Sequence, residues 1–231
     1  MSGTYTEYAG VSIYAPDGKV NSLSHVQQSI SLGSTALCIT NHNQAILLVH
    51  HHSTNRLQHA MKKVFVRKNL FFTFSGVTND GLELIRYVLE EMACENVWKN
   101  RAVDPMKVFN EISATASSRT MISSDRLFGC GGILGVEHDG KIKVVEWMPT
   151  GTIRMARAVA IGNRAQSCRT ILEKYFEDNE DVSNENMLDL AISAMKNAHG
   201  ESDEMKKENL EGYVLKLGEN VRTIDNLERY L

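Results

Sequence analysis

Gly33-Ser34-Thr35-Ala36-Leu37-Cys38-Ile39-Thr40-Asn41-His42-Asn43-Gln44-Ala45-Ile46-Leu47-Leu48-Val49-His50-His51-His52 is the stretch that decides the fold. Two apolar runs, 34–39 and 45–49, flank a polar spacer from Thr40 to Gln44 whose two asparagines suit a chain reversal. The run Ala45 to Val49 does not alternate, so it suits a strand covered on both faces. A buried two-stranded ribbon inside a layered fold is therefore expected.

Upstream, Val11 to Tyr14 alternates like a short strand, and Ala15-Pro16-Asp17-Gly18 is a turn. Leu23, Val26 and Ile30 then share one face of a short helix that ends at Gly33. Downstream, 63–66 and 70–74 read as strands. Asn79 or Asp80 caps a helix that reaches about Trp98. Asp104-Pro105 opens a second helix with Val108, Phe109, Ile112 and Ala116 as its buried stripe. Residues 131–136 and 142–147 flank Asp139-Gly140, a hairpin signal. A strand at 158–161, helices at 165–176 and from Ser183 to about Asn197, a charged loop at 201–207, strands at 213–217 and 221–224, and a last helical turn at 226–231 complete the chain. Strands, two helices, strands, two helices, strands is the order of an α+β fold with mostly antiparallel sheets between helical layers.

At 231 residues and 42% hydrophobic, the chain can bury a large core, and its three prolines and lack of a Pro/Gly/Ser-rich linker point to one domain, 1–231. A formal charge of −3 gives no general attraction to nucleic acid or anionic membrane. Cys38, Cys94, Cys130 and Cys168 form no CxxC pair and read as free thiols of a reducing compartment. No signal-peptide pattern follows Met1 and no apolar run reaches about 20 residues, so a soluble, intracellular protein is expected.

Two patterns could carry chemistry. His50-His51-His52, with His42 and His59, has the residue type of a zinc or copper site. Strand neighbours point to opposite faces, however, so only His50 and His52 could converge, with no carboxylate or cysteine beside them at ligand spacing. A polar strand end is the preferred reading, and no metal or cofactor is expected. Gly33-Ser34-Thr35 at the start of a buried strand, with Lys63 on a later one, is laid out like an N-terminal nucleophile hydrolase. Such an enzyme activates its nucleophile with the chain's own amino group, whereas Ser34 is internal here. Lys63 equally suits a strand-end surface lysine. Gly129-Cys130-Gly131-Gly132 lacks the spacing of a phosphate-binding loop.

Together, several segments resemble the proteasome alpha-type subunits. Tyr8 with Val11-Ser12-Ile13-Tyr14-Ala15-Pro16-Asp17-Gly18-Lys19 is similar to the family's N-terminal strand and turn. Gly33-Ser34-Thr35-Ala36 matches its ribbon start, and Ser75-Gly76-Val77-Thr78-Asn79-Asp80 resembles Ala/Ser-Gly-Leu-Thr-Ala-Asp. Asp125-Arg126-Leu127-Phe128-Gly129, Pro149-Thr150-Gly151-Thr152 and Ala160-Ile161-Gly162 follow in the family's order, so the likeness runs from about Tyr8 to Leu217. Gly162-Asn163-Arg164-Ala165-Gln166-Ser167-Cys168-Arg169-Thr170 most resembles the sixth ring position.

The resemblance implies a four-layer αββα sandwich of the N-terminal nucleophile hydrolase type. Residues 34–231 would form the sandwich, and 1–33 would add an extra helix and a gate segment. It implies a non-catalytic alpha-ring subunit of the 20S core, cytoplasmic and nuclear. Its expected partners are neighbouring alpha subunits, beta-ring subunits and activators or a regulatory particle. The nucleophile position is Ser34 and the partnering Asp position is His50, which leaves Lys63 alone of the three. Lys63 and Gly76 stand where the family's activator pocket lies, and Tyr8, Pro16 and His25 stand at its gate cluster. Tyr8-Ala9-Gly10 and Ser22-Leu23-Ser24-His25-Val26 depart from the family pattern there, with His25 in place of a tyrosine. The alternative is a free-standing N-terminal nucleophile hydrolase using Ser34.

Overall fold

A computed structural model of the chain describes residues 18–51, 57, 63–99, 105–122, 125–199, 209–225 and 227. In chain order the elements are α1 (Asn21–Ser31), β1 (Thr35–Thr40), β2 (Gln44–His50), β3 (Val64–Arg67), β4 (Leu70–Gly76), α2 (Thr78–Lys99), α3 (Pro105–Met121), β5 (Cys130–His138), β6 (Lys141–Trp147), β7 (Ile153–Met155), β8 (Ala158–Ile161), α4 (Ala165–Asp178), α5 (Asn186–His199), β9 (Leu210–Lys216) and β10 (Arg222–Thr223). The expected strand at 11–14, the Asp104 cap, the loop at 201–207, the turn at 226–231 apart from Leu227, and His52 and His59 lie outside the described residues.

Two five-stranded antiparallel sheets face each other. One runs β10-β9-β2-β1-β8 and the other β3-β4-β5-β6-β7. The ribbon is the centre of the first, and every residue of β1 and β2 is buried, as the unbroken apolar run required. Its three-residue turn places His42 at φ 69°, and Asn41 Oδ1 accepts the Asn43 and Gln44 amides, at 3.2 and 2.9 Å. Strand alternation then sorts the core into three slabs. Leu37 and Leu48 meet Leu172, Met187 and Met195 under α4 and α5. Cys38, Leu47, Phe71 and Ile133 fill the gap between the sheets. Phe72, Phe74 and Leu134 meet Phe109 and Trp147 on the α2 and α3 side. Each fully buried side chain of this size contributes about 1.5–3 kcal/mol of apolar burial. The layers are therefore helices, sheet, sheet, helices, with α1 at one end of the sandwich against β4 and β5.

Two details differ from the sequence reading. β7 has no counterpart in it, being a three-residue edge strand whose Arg154 and Met155 are exposed and carry no burial signal. Asp80 lies in the first turn of α2, yet its carboxylate is turned away from a capping role to bind Arg126 and the Gly129 amide.

Candidate functional site

The start of β1 is closed by backbone. A Cβ added at Gly33 would overlap Ser75 Oγ and the Gly76 amide, and one at Gly162, φ 92°, would overlap the Ser34 carbonyl. A Cβ at Gly76, φ 113°, would likewise overlap the Gly129 carbonyl. Ser75 Oγ donates to the Ile30 carbonyl of α1 at 2.9 Å, and the Asn163 amide donates to the Gly33 carbonyl at 3.0 Å. Ser34 is 5% exposed under this cover. Its nitrogen is part of the Gly33 peptide, so it offers no amine base for its own hydroxyl.

The partnering position does not face Ser34. His50 pairs with Thr35 across the ladder, and both lie on the face that meets α4 and α5, opposite the face of Ser34. Thr35 Oγ1 donates to the Asn163 carbonyl at 2.7 Å, so its contact with His199 Nε2 at 3.1 Å assigns the imidazole as donor. The His50 and His199 rings meet at 4.1 Å, tilted by 44°, and both are buried. Arg164, at φ 54°, donates to the Ala198 and His199 carbonyls at the end of α5. His50 and His51 are thus a polar strand end that is buried, and among the described residues no three His, Cys, Asp or Glu side chains converge as metal ligands.

On the Ser34 face, continuing the register makes His51 its cross-strand neighbour. His51 Nε2 is 3.6 Å from Glu211 Oε2, and Tyr213 donates to that same oxygen at 2.8 Å, its phenol pushed up by burial and by Glu211. Sequence reasoning named His51 only as a member of the histidine run and missed Glu211, Tyr213 and His199. The alternation of 210–215 could have put Glu211 and Tyr213 on one face, but nothing local announced their partner. At 3.6 Å the imidazole makes no hydrogen bond to the carboxylate.

Lys63 also leaves the Ser34 face. Val64 belongs to the slab between the sheets, Phe65 to the helix side, and Lys63 follows Phe65, its Nζ 5.9 Å from the Phe74 ring centroid. Partial burial lowers its pKa. The Val64–Thr73 register sets Lys63 beside Phe74, so Lys63 and Gly76 stand at one end of the same sheet, both partly exposed. His25 is exposed on α1, and Tyr8 and Pro16 lie outside the described residues.

Two of the quoted segments meet at that end. Asp80 takes Arg126 Nη1 and Nη2 at 2.8 and 2.6 Å and the Gly129 amide at 2.7 Å. Burial alone would push its carboxyl up, but these bonds and the charges of Arg126 and Arg119 hold it below the usual carboxylate range. Arg169 of α4 donates twice to the Ala160 carbonyl, occupying an acceptor of edge strand β8, and reaches Glu146 at 3.3 Å. Of the four thiols, Cys38, Cys130 and Cys168 are buried and pushed up by desolvation, Cys130 to about 12 and Cys168 to about 11. Cys94 is exposed on α2.

A family model described as proteasome subunit matches residues 30–215. Proteasome subunit alpha type-7-1A of Drosophila melanogaster is 24% identical, covering 98% of this chain and 90% of the relative. Proteasome subunit alpha of Methanobrevibacter smithii is 24% identical, covering 92% and 85%. Proteasome subunit alpha type-1 of Dictyostelium discoideum is 21% identical, covering 84% and 79%. These relatives carry different type names at similar identity, so what they share is the family rather than a ring position.

Proposed function

The chain belongs to the proteasome subunit family, and from that premise we propose that it is a non-catalytic, structural alpha-ring subunit. It assembles with neighbouring alpha subunits and with a beta ring below, and it helps to shape substrate entry in intracellular protein degradation, in the cytoplasm and nucleus. The observation that carries this reading is the closed start of β1. The nucleophile position is Ser34, its nitrogen bound in a peptide and its carbonyl held against Gly162, while α1 is tied to Ser75 of the facing sheet. His50 and Lys63 both sit off its face. Neither His50 nor Lys63 is therefore placed to act as a base for Ser34, which is itself buried.

Within this reading Lys63 and Gly76 mark a pocket for an activator's terminal carboxylate. A partly buried ammonium is weakly solvated and binds a carboxylate more strongly than an exposed one does. His25, with Tyr8 and Pro16, belongs to the gate. Native mass spectrometry of the chain, tagged at its C-terminus and purified gently from its own cells, tests the assembly. A large barrel of related subunits containing the chain uncut before Ser34 is expected. A monomer or small oligomer beginning at Ser34 would overturn the reading and favour the hydrolase. For the pocket, Lys63→Ala is expected to weaken activator binding to the assembled particle several-fold, and unchanged affinity removes Lys63 from it.

A further inference from the structure

We propose that the helix-side face of β9 and β10 around Val214 and Ile224, open among the described residues, is a docking groove for a protein segment that presents an apolar side chain flanked by lysine or arginine. α4 and α5 pack chiefly over β8, β1 and β2, with Leu210 of β9 joining their cluster, while Val214 and Ile224 further along the last two strands are only partly buried. A groove of about 570 Å³ remains beside the N-terminal half of α5. Its floor is apolar, with Leu188, Val214 and Ile224 only partly buried and Leu217 40% exposed at the rim.

Charge selects the occupant. The chain from 177 to 189 carries Glu177, Asp178, Glu180, Asp181, Glu185 and Asp189, all exposed, and no Lys or Arg stands between Lys174 and Lys196. Glu185 and Asp189 line the groove itself. The opposing rim is close to balanced, since Glu219 pairs with Arg222 at 3.1 Å and Lys216 adds one positive charge. The acidic rim is also held in shape. Asn41 donates to Asn184 Oδ1 at 2.7 Å and to the Val182 carbonyl at 2.9 Å, and Ser183 Oγ accepts the Asn186 amide. A preordered rim loses little conformational entropy on binding. Nucleic acid and anionic lipid are repelled by the same carboxylates, so a basic, apolar-anchored polypeptide is the fitting partner.

The inference does not depend on the ring assignment. Its test is fluorescence anisotropy of the full chain with the labelled hexapeptide Lys-Lys-Leu-Leu-Lys-Lys, compared with Lys-Lys-Gly-Gly-Lys-Lys and Glu-Glu-Leu-Leu-Glu-Glu. The first is expected to bind at least tenfold more tightly than either control. Leu217→Ser and the pair Glu185→Gln/Asp189→Asn are each expected to weaken it about tenfold while leaving Tm within a few degrees. Absence of binding, equal binding of the glycine control, or undiminished binding by both folded variants would overturn the proposal.

Discussion

Asp80 and Arg126, 46 residues apart, are joined by two hydrogen bonds of 2.8 and 2.6 Å, and the same carboxylate takes the Gly129 amide at 2.7 Å. The start of α2 is thereby tied to the entry of β5. Asp80 is 3% exposed, whereas the Arg126 side chain is 69% exposed, so much of the ion-pair attraction is screened and the hydrogen bonds of the buried carboxylate matter most. Asp80→Asn is expected to cost about 2 kcal/mol in urea unfolding, because an amide nitrogen would face donors. Arg126→Ala should cost less. The carboxyl is held below its unfolded value, so its contribution is complete above about pH 4 and is lost as pH falls through the folded value. The wild type should therefore lose its advantage over Asp80→Asn in acid, and a pH-independent gap would sink this account.

Gly162 is the least substitutable position at the start of β1. Its φ of 92° is strained for any side chain, and a Cβ would strike the Ser34 carbonyl, which is backbone and cannot swing aside. Gly162→Ala is expected to cost about 3 kcal/mol, read as a Tm shift. Gly140→Ala, φ 68° with nothing nearby, should cost only about 1 kcal/mol. Equal losses at both sites would show that crowding against Ser34 is not the cause.

Much of this fold was legible because its signals are local. The unbroken run of β2, the Asp139-Gly140 turn and the stripe of Leu23, Val26 and Ile30 each announce one element. β7 was not legible, since three residues at an exposed edge bury too little to leave a pattern. The site was legible in part. Ser34 and Lys63 could be named, but the face each occupies follows from the register of distant strands. His199, 164 residues from Thr35, has no signal near either residue. Asp80 and Arg126 were both visible as segments, yet only the folded chain shows that they bind each other.

Thr35 is the hub of the buried corner under α4 and α5. Its hydroxyl donates to Asn163 and accepts from His199. Thr35→Val keeps the shape and removes both bonds, leaving the Asn163 carbonyl and the His199 N–H without this partner, at an expected cost of about 2 kcal/mol. Thr35→Ser should recover most of it. If Val and Ser behave alike in denaturant titration, packing rather than hydrogen bonding governs the corner.

Lys63 sets a prediction of opposite sign to Asp80. Partial burial lowers its pKa, so at neutral pH the folded state holds a charge that its surroundings disfavour, offset in part by the Phe74 ring. Below the folded pKa both states are protonated and the whole desolvation cost is present. As pH rises toward the unfolded value of about 10.4, the folded chain releases the proton first and gains stability. Lys63→Met removes the charge and keeps the stem. The variant is therefore expected to be the more stable protein at pH 7, with the difference shrinking by pH 10 in paired urea titrations. A wild type that is the more stable at pH 7 would mean that the Phe74 contact outweighs desolvation. Lys63 would then be held in place by the fold itself, rather than retained at a cost for a ligand.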